Sequence, residues 1–342
     1  MVQYNQNAPR GLVFLSSLWA AITRVPVWIA IWLVFFLASF GLSLRWVGWF
    51  GDATAGRYEP GSLVASLGEV FRFDHRAELS ALREGDQRIV AAMGIVMMLF
   101  GAFAAGGWLQ VFLERTSGRT LRRFLWGGAR YYWRFFRLMI VNVCLLAGIF
   151  WLCEGWVWKT VVLDFLFGAE GGELETLASE QTAQRLVDLQ QLVLALFVGL
   201  LAVWATYTRT RLALHNTRSV LWAGLCSLIL LIANPIRTLR PMAIITALEL
   251  GVIYGLGRMA SNLNAGMGAD SGWRDLLVLF VFVQAGLLWQ IFSRGARYNA
   301  AVQISRFLVP PLVQPDQWGK HIGGPGGPQY PIDDSDEYNV SI

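Results

Sequence analysis

Glu249 has the most chemical potential of any side chain in this sequence. It stands at the middle of Met242–Leu256, a stretch with no other charge. A carboxylate in such surroundings is strongly desolvated and becomes neutral unless a cation reaches it. It then either donates a hydrogen bond as a structural acid or exchanges a proton in a transport cycle. Asn142, Gln284, Gln290 and Tyr254 lie on apolar stretches and are its candidate partners. No lysine or arginine lies within the core of any apolar stretch, so an ion pair is not expected. The expectation is a neutral Glu249 turned toward other helices, donating to a backbone carbonyl or to the Gln284 amide.

Other chemistry finds little support. His75, His215 and His321 are spread over different segments, and Cys144, Cys153 and Cys226 sit among apolar residues without paired spacing. Neither set has the spacing of a metal site or a disulfide framework. The sequence contains no HExxH, no GxSxG and no Walker loop, and Gly323–Gly327 has no helix start after it to make a phosphate cradle. A non-enzyme without cofactor or metal is expected.

The densest charge feature is Arg115–Arg137, with Arg115, Arg119, Arg122, Arg123, Arg130, Arg134 and Arg137. At about 100° per residue all seven fall within an arc of roughly 120°. Leu121, Phe124, Leu125, Tyr131, Tyr132, Phe135 and Phe136 point elsewhere. This is the pattern of a helix lying on a lipid surface with cations toward anionic headgroups, and it argues for anionic lipid over nucleic acid as the partner.

These residues are carried by a chain of 342 residues that is 55% hydrophobic, with 16 tryptophans and a mean hydropathy of +0.47. Long charge-free runs make it an all-α polytopic membrane protein. Six spans are expected: Val25–Leu44, Ile89–Phe112, Leu138–Trp158, Leu189–Tyr207, Met242–Leu256 and Leu276–Phe292. The first run lacks the short core and cleavage site of a secretory leader, so it is expected to remain as a span. Pro9–Arg24 reads as a short amphipathic helix. Val220–Ala233 is too short to span and is closed by Asn234–Pro235, so it is interfacial or re-entrant. Arg45–Arg88 and Lys159–Asp188 read as mixed or acidic connecting segments. From Pro310 to Ile342 six prolines and five glycines indicate a disordered tail.

Arginine follows the second, fourth and sixth spans, while the segments after the odd spans are neutral or acidic. The positive-inside rule then puts both termini in the cytoplasm. The arginine bias, with only Lys159 and Lys320 as lysines, suggests a bacterial inner-membrane protein from a GC-rich genome.

A repeat runs through residues 1–309. Leu18-Trp19-Ala20-Ala21, Leu125-Trp126-Gly127-Gly128 and Leu221-Trp222-Ala223-Gly224 precede the odd spans. Trp108-Phe112-Arg115, Trp204-Tyr207-Arg209 and Trp289-Phe292-Arg294 close the even ones. Trp108 to Trp126 and Trp204 to Trp222 are both 18 residues apart. The unit is a surface helix and two spans, used three times in parallel over about 12–114, 119–211 and 215–309. In this pattern residues 12–309 resemble the six-pass domain of many uncharacterised bacterial membrane proteins, similar to one fused to some glycerophosphodiester phosphodiesterases. The resemblance implies architecture; the fused enzymes' chemistry belongs to a soluble barrel that has no counterpart here.

Two functions compete. One is a scaffold, assembly factor or lipid-organising component, bound to anionic lipid and to a membrane-protein partner or to copies of itself. The other is a permease for a small or lipid-like solute, with Glu249 as its responsive group.

Overall fold

Runs of twenty apolar residues leave no water for the backbone, so its polar groups must be satisfied within each segment, as a helix does. The computed structural model describes residues 13–55, 69–114, 119–168, 179–266 and 273–308, and every regular element among them is helical. In chain order these are α1 (Val13–Ile22), α2 (Val25–Thr54), α3 (Glu69–Asp74), α4 (Arg76–Leu113) and α5 (Thr120–Glu154). A π-helical segment, Trp158–Leu166, follows, then α6 (Glu180–Leu214), α7 (Val220–Ala233), α8 (Pro235–Gly266) and α9 (Trp273–Leu308). Helices α2, α4, α5, α6, α8 and α9 are long and apolar enough to cross a membrane. The expected tail lies outside the described residues, as does Arg115.

The helices outrun the apolar stretches that mark them. α4 has 38 residues, about 57 Å at 1.5 Å per residue, against a hydrocarbon core of about 30 Å. The segment expected as a connection, Arg45–Arg88, is therefore largely helical: the end of α2, α3 and the start of α4. Polar contacts join these ends. Arg45 pairs with Asp86 at 3.4 Å, Trp46 Nε1 donates to the same carboxylate, and Trp49 Nε1 donates to Glu78 at 3.1 Å. Phe71 of α3 is buried against the Trp49 and His75 rings.

Proline marks where a short helix separates from the long helix that follows it. Pro26 opens α2 directly after α1, and Pro235 opens α8 directly after α7. Both sites suit proline, whose missing N–H is not needed in a first helical turn. No proline lies between Thr120 and Glu154, and α5 runs unbroken through both the arginine segment and the third apolar run. A short helix separate from the long one after it is thus present twice, as α1 and α7, whereas Leu125-Trp126-Gly127-Gly128 lies within the first half of α5. α7 is 14 residues long, about 21 Å, and does not span. The Ser219 hydroxyl caps it by accepting from the Trp222 N–H at 3.3 Å.

α4, α6 and α9 contact one another pairwise at the centre. Each also packs on the Leu-Trp-small-small segment that follows in cyclic order. Gly106 and Gly107 of α4 lie against Gly127, Gly128 and Phe124 of α5. Trp204 of α6 sits over Gly224 of α7, its Nε1 donating to the Gly224 carbonyl at 2.9 Å. Gly295 of α9 lies against Ala21 of α1. Small residues permit such close helix approach where lipid supplies no hydrophobic drive. Trp19, Trp126 and Trp222 are 69%, 61% and 62% exposed, while Ala21, Gly127, Gly128, Ala223 and Gly224 behind them are buried. Outward faces carry exposed Leu192, Leu196, Leu250, Ile95 and Val283, the apolar exterior that a bilayer covers.

Candidate functional site: an arginine-ended central cavity

Burial concentrates in the C-terminal halves of α4, α6 and α9, over Ala102–Phe112, Ala205–Ala213 and Ile291–Ser305. Between these helices, with α2 and α5 adding to the walls, is a partly open cavity of about 640 Å³. Its lining advances along α6 from Val198 to Arg209 and along α9 from Leu287 to Tyr298. The arginines therefore gather at one end: Arg209 from α6, Arg294 and Arg297 from α9. Asn142, Thr206 and Gln290 stand between that end and an apolar body walled by Gly94, Met97, Met98, Gly101, Leu146 and Leu201.

The polar end is only partly satisfied. Arg209 donates from Nη1 to the Tyr298 hydroxyl at 2.9 Å, but its buried Nε has no acceptor. Asn142 Oδ1 is buried and has no donor. Arg294 is exposed and makes neither a hydrogen bond nor an ion pair among the described residues. Arg297 Nη2 lies 2.8 Å from Glu249 Oε2 of α8, with side-chain exposures of 22% and 12%. The N–H groups of Arg297 are not aligned on that oxygen, which is without a directed donor, so the contact is a charge pair. Three guanidinium groups against one carboxylate leave a net positive cavity end.

Glu249 thus differs from the expectation. It faces the bundle, but its partner is a cation and not the Gln284 amide. Gln284 Oε1 instead accepts from Trp32 Nε1 of α2 at 2.8 Å. The physical reason is helix length: α9 continues through Leu308, so Arg297, counted in sequence as a charge beyond the sixth apolar run, is on the same helix and reaches α8. Asn142, the third polar candidate, lines the cavity without touching Glu249.

The arginine stripe is divided between exposed and internally paired positions. Arg119, Arg122 and Arg137 are exposed, Arg137 lying over the Trp133 ring at 5.8 Å. Arg130 lies 5.7 Å over Tyr131. Arg123 pairs with Glu114 at 2.9 Å, and Arg134 donates to Asn216 Oδ1 at 2.6 Å, joining α5 to the turn after α6. In that turn, burial and then the neighbouring Arg211 push His215 below its ordinary value, so it is neutral at pH 7.

Arg209, Arg294 and Arg297 are the site residues that sequence reasoning did not single out. Their signal was present, since Arg209 and Arg294 each stand five residues after the closing tryptophans Trp204 and Trp289, but a topology rule absorbed it. Among the described residues no three His, Cys, Asp or Glu side chains gather as a metal site would require. Comparison with protein families, with characterised proteins and with solved structures gives no match for this chain.

Proposed function

We propose that this chain is a non-catalytic integral membrane protein of three pseudo-equivalent units that organises anionic lipid at one leaflet of a bacterial inner membrane. The observation that carries the reading is the cyclic packing: α4 on α5, α6 on α7 and α9 on α1, around three mutually contacting helices. Three tryptophans at like positions, all exposed, and the outward arginines of α5 give this ring a lipid-facing rim. In this reading both termini and the arginine ends are cytoplasmic, and the rim or the tail receives a membrane-protein partner or a second copy. The likeness to six-pass bacterial membrane domains is part of the same proposal.

The topology is checked by a reporter fused after Arg306. A fluorescent protein there is expected to fluoresce and alkaline phosphatase there to be inactive; the reverse pattern contradicts the six-span reading. The function is checked in proteoliposomes and in polymer discs cut from native membranes. Enrichment of anionic lipid around the protein without solute flux is expected.

A second reading, a permease, is favoured by the cavity and the Glu249–Arg297 pair beside it. It requires that flux appear in the same proteoliposomes and that Glu249→Gln abolish it.

A further inference from the structure

We infer that the central cavity is a binding site for a single-chain anionic amphiphile, with a phosphate head on Arg209, Arg294 and Arg297 and its hydrocarbon chain between α4 and α6. The inference rests on the lipid-organising reading and names the ligand class of its central site.

Charge selects the head. Three arginines and one paired carboxylate leave an excess of two positive charges, which suits a phosphomonoester carrying about −1.5 to −2 at neutral pH. Arginine also presents forked donors that match phosphate oxygens. The buried Arg209 Nε has no acceptor in the protein, and an orphaned buried donor is costly enough to demand a partner. Asn142 Oδ1, on the wall of the same cavity, is a buried acceptor without a donor. It can take a hydrogen bond from a head-group hydroxyl, so donor and acceptor together describe a phosphate ester with a free hydroxyl close by.

The walls select the tail. Beyond Asn142 the lining is methionine, leucine, valine, alanine and glycine with the Phe35 and Phe100 rings, which gives no hydrogen-bond partner to a sugar, base or peptide but accepts a hydrocarbon chain. Methionine walls adapt to chains of varied shape. Gly101, which is half-buried on the cavity wall, has nothing within 4 Å of where a Cβ would stand, so it leaves space without serving a packing contact. A volume of about 640 Å³ is in the ordinary range for small-ligand sites.

The test uses the full chain, delipidated in neutral detergent, with 1-oleoyl-lysophosphatidic acid as probe and tryptophan fluorescence as the readout, since Trp108 lines the cavity. Saturable binding is expected. Inorganic phosphate and 1-oleoyl-lysophosphatidylcholine should each bind at least tenfold more weakly. Arg209→Gln with Arg294→Gln should weaken the probe by tenfold or more. Gly101→Leu keeps every arginine and enters open space; it should also lose tenfold while leaving the thermal midpoint in place. Equal binding of the choline and phosphatidic probes would reduce the site to detergent-like partition, and equal competition by inorganic phosphate would reduce it to a plain anion site. Either outcome overturns the inference, as does wild-type affinity in Gly101→Leu. If the phosphatidic probe fails to saturate while native discs remain enriched in anionic lipid without flux, only this inference falls; flux would instead remove the reading on which it rests.

Discussion

Gly106→Val lowers stability by about 3 kcal/mol, at the upper end of what overpacking costs a tightly filled contact. A Cβ at Gly106 would stand 2.7 Å from the Gly127 carbonyl oxygen, which is backbone and cannot turn aside. At Gly127 a Cβ would be 2.2 Å from Gln110 Cβ and 2.8 Å from the Gly106 oxygen. The two helices therefore meet backbone to backbone, and any side chain at either position forces them apart. Gly148→Val and Gly101→Val meet nothing within 4 Å and should each leave stability within about 0.5 kcal/mol, since valine is a somewhat better helix former than glycine. Reversible unfolding in mixed micelles, or the thermal midpoint in one detergent, separates the two classes. If Gly106→Val and Gly101→Val are equally tolerated, α4 and α5 do not pack as described.

Glu249→Gln carries the second large effect. It leaves Arg297 mostly buried beside Arg294 with no counter-charge, and breaking such a pair costs about 3–5 kcal/mol in a dry interior. Because Arg297 retains some solvent, about 2 kcal/mol is the expectation here. Removing both charges by Glu249→Gln with Arg297→Gln should recover at least half of that loss, so the double-mutant cycle shows a coupling above about 1 kcal/mol. Additive losses would mean that the charges do not interact. The cycle is read as stability and is independent of whether the protein moves a solute.

The sequence made the spans legible because hydropathy is a local property of about twenty residues. It made α7 legible for the same reason, since fourteen apolar residues ending in Asn234–Pro235 cannot cross the core. What a local property cannot register is where a helix goes after its apolar part ends. A charge terminates a hydropathy window but not a helix, and this is how Arg45–Arg88 came to read as a connection and Arg297 as a charge beyond the sixth span. The Glu249–Arg297 pair spans 48 positions and depends on α9 extending past Phe292. The arginine stripe shows the same limit from another side. Its angular pattern is real, yet Arg123 and Arg134 are drawn inward by Glu114 and Asn216, partners from neighbouring segments that a helical wheel does not contain. Asn142 was legible as a polar residue in an apolar run, while its place on the cavity that Arg209 also lines required the packing of α4, α5 and α6.

The last helix closes on both α1 and α2, making a ring and not a row. Trp28 of α2 lies edge-on to Phe292 of α9 with centroids 5.4 Å apart, and it is the most direct place to test this. Trp28 replaced by the photoreactive aromatic p-benzoylphenylalanine keeps an aromatic group at the contact, and irradiation of intact membranes followed by peptide mapping identifies its neighbour. The ring predicts an intramolecular crosslink from residue 28 to the segment around Phe292. Crosslinks to lipid alone, or only between separate chains, would contradict it.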